Sequence, residues 1–209
     1  ANFNGAFTFR RTDPSTNAPI GSNGDTVSLA AGASQTYVLS MTPSAAVNGT
    51  ELAPVFLCDN IRQTDPISGV TTITLSASAA QSADVVSIAA TPTANGILDV
   101  PLNGASAFSV AAVNIGAPQT VTVTPGTGSA TLPLTIDICE TNPSTGACLT
   151  GRTPTVAVNF AANETRTFTI FVRSTGAVAF LPSTNRVFAT FTNATPVTVG
   201  STSVAVRTQ

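Results

Sequence analysis

Three cysteines, ten carboxylates and eight arginines are the residues of this 209-residue chain whose chemistry goes beyond packing and hydroxyl hydrogen bonding. Cys139 and Cys148 have eight residues between them, in the stretch CETNPSTGAC, where a Pro-Ser-Thr-Gly turn can bring two strand ends within disulfide reach. A disulfide between them is the expectation. Two unpaired thiols or a metal site are the alternatives, and zinc would need two further soft ligands where only Cys58 remains. Cys58 follows PVFL at an expected strand end and reads as a small buried hydrophobe, with an intermolecular bridge as the other option.

The acidic residues support little chemistry. Asp59, Arg62 and Asp65 share one loop, CDNIRQTDP, whose spacing lacks the alternating carboxylates and central glycine of a calcium loop, so a surface ion pair is expected there. Asp137 and Glu140 stand three apart on an expected strand, hence on opposite faces, and cannot act as paired acid and base. The chain has no His and no Lys to activate a Ser, Thr or Cys nucleophile. It therefore reads as no enzyme, with no catalytic residue, no metal and no cofactor. Sugar binding would use exposed aromatics, but Trp is absent and the single Tyr, Tyr37, is expected in a core. Asn48, Asn163 and Asn193 each begin an N-x-T sequon and are the possible glycosylation positions.

Charge and hydropathy exclude further classes. Charged residues make up 9% of the chain, against about 25% in an average soluble domain, while apolar residues reach 43%. The net charge is −2 and no basic stripe exists, which argues against nucleic acid or anionic lipid as a partner. Thr, Ser, Asn and Gly interrupt every hydrophobic run, so no transmembrane helix and no membrane insertion are expected. The opening ANFNG, without initiator Met or apolar leader, is as expected of a mature secreted chain or of a piece of a longer one.

The elements that position these residues read as strands. TYVLSM (36–41), TITLSAS (72–78), FSVAAV (108–113), TVTVT (120–124), LPLTIDI (132–138), TFTIFV (167–172), VFATF (187–191) and SVAVRT (203–208) alternate with period two and are rich in β-branched residues. Asn-Gly pairs and Pro-rich corners separate them, which are turn signals because Asn and Gly tolerate positive φ. The fold class is all-β. Alternation places Phe108, Val110, Val121, Ile136, Ile138, Phe168, Ile170, Val187 and Phe191 in the core of the carboxyl-terminal part.

The phrase TDPSTNAPI at 12–20 returns as TNPSTGACL at 141–149. Extended outward, FTFRRTDPSTNAPI (7–20) lies over IDICETNPSTGACL (136–149), AAGASQTYVLSM (30–41) over AANETRTFTIFV (161–172), TELAPVFL (50–57) over TNRVFATF (184–191), and TTITLS (71–76) over STSVAV (201–206). Four segments in preserved order indicate an internal duplication. The positions of Cys139 and Cys148 are taken by Arg10 and Pro19 in the first version, so both cysteines are absent together. Residues 84–135 carry further strand candidates with no counterpart ahead of the first version. The expected domains are thus a partial β-module at 1–80 and a complete sandwich at 81–209.

The pattern FSVAAVNIGAPQTVTV, LPLTIDICETNPSTGACL, FAANETRTFTIFVRSTG, NRVFATF and STSVAVRT resembles the immunoglobulin-like β-sandwich repeats of large secreted bacterial surface proteins. The resemblance implies tandem Ig-like antiparallel sandwiches, the first incomplete, and an extracellular or cell-surface location. It carries no catalytic residues. The function expected is an extracellular structural protein, a self-assembling subunit or repeat unit of a filament, stalk or surface coat. The alternative is an adhesive or ligand-binding module of a long cell-surface protein. The partners expected are copies of the chain itself, joined by strand addition at the amino-terminal module, because a sandwich missing strands exposes a sheet edge and an apolar face.

Overall fold

Thr, Val and Ile alternating along the chain lose rotamer freedom in a helix and pack well on a pleated sheet. Among the described residues the result is fourteen strands and no helix. The structure is a computed structural model and describes residues 3–57 and 66–209. By spatial contact the chain divides into a small unit, Asn2–Val47, and a larger one that runs from Asn48 to Gln209. This spatial division lies ahead of the sequence division at 80/81, because residues 48–57 and 66–80 pack with the larger unit.

The small unit is one sheet. β1 (Gly5–Thr12), β2 (Pro19–Ile20) and β3 (Thr36–Pro43) run antiparallel in the order β2-β1-β3. Thr12 is its one buried residue among those described.

The larger unit is built around a two-sheet sandwich. One sheet has the order β10-β12-β8-β6, from β6 (Val85–Ala90), β8 (Ala105–Asn114), β10 (Leu134–Thr141) and β12 (Thr165–Ser174). The other has the order β11-β9-β13-β14-β7, from β7 (Ile97–Val100), β9 (Gln119–Gly126), β11 (Val156–Phe160), β13 (Arg186–Asn193) and β14 (Thr198–Thr208). Every pairing in the two sheets is antiparallel except β14 with β7.

Alternate residues of both sheets meet in one core, in which Phe168 of β12 and Phe191 of β13 contact edge to face with ring centroids 6.0 Å apart. Eight of the nine expected core residues are buried. The ninth, Ile136, lies near the start of β10 and is partly buried, packed against the cluster, while Ile138 on the same strand is fully buried.

β4 (Val47–Leu52) and β5 (Ile73–Ala77) form a separate two-stranded sheet. Gly49 holds φ +51°, and a Cβ there would come within 2.9 Å of the Thr198 side chain, so only glycine admits the close seat on β14. The Gly49 amide donates to the Ser76 hydroxyl at 3.2 Å, and that hydroxyl donates to the Thr198 carbonyl at 2.8 Å. Glu51 closes the loop ahead of β5: its Oε1 accepts from the hydroxyls of Ser68 and Thr72, both at 2.6 Å, and from the Gly69 amide at 3.2 Å. The Ser68 carbonyl accepts from Ser203 of β14, whose hydroxyl also accepts from buried Arg186 at 2.9 Å.

Two expectations test this arrangement. Phe168→Ala should lower the unfolding free energy by about 3–5 kcal/mol, since a buried aromatic is lost and a cavity left; an unchanged denaturation midpoint would place the β12 phase one residue out. Burial works to raise the Glu51 carboxyl pKa, but the hydrogen bonds from Ser68, Thr72 and Gly69 outweigh it and hold the group below the usual carboxylate range. A depressed folded-state pKa means that the carboxylate's contribution is present above the unfolded-chain value and is lost as pH falls through the folded one. The protection factor of the Gly69 amide should therefore drop on acidification through that window, and Glu51→Gln should show the lower protection already at neutral pH. Equal protection at both pH values would contradict this.

Candidate functional site

The two versions of the nine-residue phrase make the same corner, bond for bond. In the second, Asn142 Oδ1 accepts from the amides of Ser144 and Thr145 at 2.9 and 3.1 Å; in the first, Asp13 Oδ1 accepts from Ser15 and Thr16 at 2.8 and 3.0 Å. The Gly146 amide bonds the Asn142 carbonyl at 2.8 Å, as the Asn17 amide bonds that of Asp13 at 2.8 Å, with positive φ at both donors. Behind each corner a buried Thr pairs with a Thr on the neighbouring strand. The Oγ1 distance is 2.8 Å for Thr141 with Thr167 and 2.7 Å for Thr12 with Thr36.

What differs is the tie across the corner. Cys139 and Cys148 are joined, with Cα atoms 5.6 Å apart, and Cys148 also forms a bridge opposite Thr141. Pro19 sits in the matching position opposite Thr12. There the aligned Arg10 instead sends its Nη2 to the Gly21 carbonyl at 2.7 Å. A covalent staple in one corner is thus a single charge-assisted hydrogen bond in the other.

The larger difference is what lies on the sheets. Directly opposed residues share a face. On β10 and β12 the pairs Ile136 with Val172, Ile138 with Ile170 and Glu140 with Phe168 form the face that packs into the core, and Ile138, Phe168, Ile170 and Val172 are fully buried there. The aligned pairs on β1 and β3 are Phe7 with Met41, Phe9 with Leu39 and Arg11 with Tyr37. They form an equally apolar face, with Phe9 6.3 Å from Phe7 and 6.2 Å from Tyr37 between ring centroids. Yet Phe7 is 51% exposed, and Phe9, Tyr37, Leu39 and Met41 are only half-buried. Tyr37, expected in a core as the counterpart of Phe168, is corrected to a half-buried position: among the described residues its unit is a single sheet, whereas Phe168 lies between two.

A second apolar feature is the segment PVFL, expected as a strand end and found outside any strand. Residues 53–57, APVFL, align with the β13 residues 187–191, of which Val187, Ala189 and Phe191 point into the core and are fully buried. Ala53, Val55 and Leu57 keep this apolar alternation, but the segment is not in a strand, and Val55 and Leu57 are 54% and 83% exposed. The signal was present as three apolar residues at alternate positions.

The remaining candidate residues do not converge. Asp137 is exposed on the outer face of β10, while Glu140 binds Arg166 at 2.5 Å, and Arg166 also reaches Glu164 at 2.9 Å. Asn48 and Asn163 are exposed. The Asn193 amide is already engaged: its Oδ1 accepts from Thr195 and Val197, and its Nδ2 donates to Ser82 at 3.3 Å. Cys58, Asp59, Arg62 and Asp65 lie outside the described residues. Among the described residues no three His, Cys, Asp or Glu side chains gather as a metal site, and no helix is long and apolar enough to cross a membrane.

No protein-family model matches the sequence, and no curated protein matches it. Among solved structures, the chain is similar to the crystal structure of BcpA, the major pilin subunit of Bacillus cereus, with 13% identity and a TM-score of 0.35 over 99% of this chain. A variant of the same pilin gives 13% identity and a TM-score of 0.34, also over 99% of this chain. The chain spans 65% of the length of either pilin chain.

Non-reducing peptide mapping of protein from an oxidising compartment should recover Cys139 and Cys148 in one linked peptide and Cys58 in neither. Their joint replacement by Ser should cost about 2–3 kcal/mol, the loop-closure entropy of a loop this short. Recovery of both as free thiols would remove the staple from the account.

Proposed function

We propose that the chain is an extracellular structural module that assembles with copies of itself into a filament, stalk or surface coat. The observation that carries the reading is the apolar, partly exposed β1–β3 face. Phe7, Phe9, Leu39 and Met41 repeat the side-chain chemistry of a sandwich core without being buried. A soluble surface rarely leaves such a patch idle, and a contiguous apolar face marks an interaction site. The chain's 9% of charged residues does little to keep such a face in water.

The same reading retains an internal duplication with copies at 1–80 and 81–209, and it supplies a route for assembly. In the complete sandwich β12 is flanked by β10 on one side and β8 on the other; among the described residues β3, its aligned counterpart, pairs with β1 only. The other edge of β3 is where a strand from another chain would add, through backbone hydrogen bonds. Such a joint links two different surfaces and does not close on itself, which gives a linear polymer.

Sedimentation velocity across a concentration series at micromolar levels tests this. The expected result is a sedimentation coefficient that rises with concentration, and a return to monomer for Phe7→Lys with the thermal melt of the sandwich unchanged. A compact monomer at every concentration would sink the proposal.

A further inference from the structure

We infer that the turn at residues 67–71 is a conformational clip, which closes over Arg186 and is held shut through the hydroxyl proton of Ser203. The inference does not depend on the assembly proposed above, because every group in it belongs to the larger unit.

Alternation along β13 puts Val187, Ala189 and Phe191 in the core, so Arg186 and Phe188 face the other side of the sheet. On β14, Ser203 is opposed to Phe188 and Ala205 to Arg186, so these four residues share that outer face. An arginine on the outer face of a sheet ordinarily keeps its guanidinium in water. Arg186 is only 5% exposed, and Ser203 8%. The turn is part of what covers them. It is closed by the Ile67 carbonyl, which accepts from the Val70 and Thr71 amides at 3.0 and 2.9 Å. A Cβ on Gly69 would stand 2.8 Å from the Ser203 hydroxyl and 3.4 Å from the Phe188 ring, and Gly69 holds φ +70°, so the close approach requires glycine.

The hydrogen bonds run in one direction. Arg186 can only donate: its Nε reaches Ser203 Oγ at 2.9 Å, its Nη2 the Ser203 carbonyl at 3.0 Å and its Nη1 the Pro182 carbonyl at 2.7 Å. With the Ser203 oxygen accepting from a charged donor, the single hydroxyl proton goes onward, to the Ser68 carbonyl of the turn at 3.2 Å. Ser68 is tied on its other side as well, since its hydroxyl donates to Glu51 at 2.6 Å. A cation on β13 and an anion on β4 thus hold the turn between them.

Closure is opposed by desolvation. Burial disfavours the charged guanidinium and lowers its pKa below the ordinary arginine value, while its acceptors among the described residues are all neutral. Opening would return the group to water and break the Ser203–Ser68 bond. The hydration regained offsets the bond lost, which is the balance a two-state element needs.

Pulsed dipolar spectroscopy of spin labels at Val70→Cys, in the turn, and Ser109→Cys, on the exposed side of β8, reads the position of the turn. The labels sit in the full-length Cys58→Ser chain with the Cys139–Cys148 bond intact, diluted into unlabelled protein so that only distances within one chain count. The otherwise unchanged chain should give one narrow distance. Arg186→Met, which fills space without donating, and Ser203→Ala should each add a second distance, and Arg186→Lys, which still donates, should restore the single one. Because both residues act through one proton, the combined Arg186→Met and Ser203→Ala chain should populate the second distance no more than either change alone. Should Arg186→Met fail to fold, Ser203→Ala carries the test by itself. One narrow distance in every folded variant would overturn the inference. So would a second distance of equal population in Arg186→Lys and Arg186→Met, which would mean that shape and not the donated proton holds the turn.

Discussion

Sheet-on-sheet packing across the β10–β12 face is the interaction on which the rest of the larger unit depends. A sheet with alternating apolar residues has one face that water disfavours, at about 25 cal/mol per Å² of apolar surface. β12 contributes Phe168, Ile170 and Val172 to that face, and β13 answers with Val187, Ala189 and Phe191. Once the two layers meet, the outer residues are free to be Thr and Ser, as Thr120, Thr122 and Thr124 are along β9. Low charge therefore does not prevent this part of the chain from being well packed.

The amino-terminal module has the same local chemistry with the opposing layer absent from its own sheet. Its corner repeats the Asx turn, the positive φ and the buried Thr pair of the stapled corner, all of which are satisfied within a few residues or by the adjacent strand. Such features form whether or not a second sheet is present. Burial of Phe9, Tyr37 and Leu39 depends on a covering layer, and it is here that the two corners part. The two corners share their local bonds and differ in long-range packing.

The same separation explains which features could be read from residues alone. The inward phase of β8, β10, β12 and β13 follows from alternation, so Phe108, Ile138, Phe168 and Phe191 were legible as core. Tyr37 was misplaced because alternation tells which face a residue takes and not whether that face is covered. Ile136 takes the core-facing side of β10, as alternation implies, but alternation does not tell that it is only partly buried where Ile138 is fully so. The parallel pairing of β7 with β14 and the Glu51 cluster join residues far apart in sequence through contacts that no motif announces. The face and the 53–57 segment were both visible as apolar patterns, and the degree of exposure of Phe7, Val55 and Leu57 was not.

The central claim is the proposed association of the chain with copies of itself through the apolar β1–β3 face. The chain carries its own probe of that face, since Tyr37 is the only tyrosine and there is no tryptophan to mask its emission. Acrylamide quenching of tyrosine fluorescence, measured as the protein is diluted through its association range, reports the cover on Tyr37 directly. The account predicts a smaller quenching constant in associated than in dilute protein. A constant that is the same at every concentration, in protein that demonstrably associates, would contradict it.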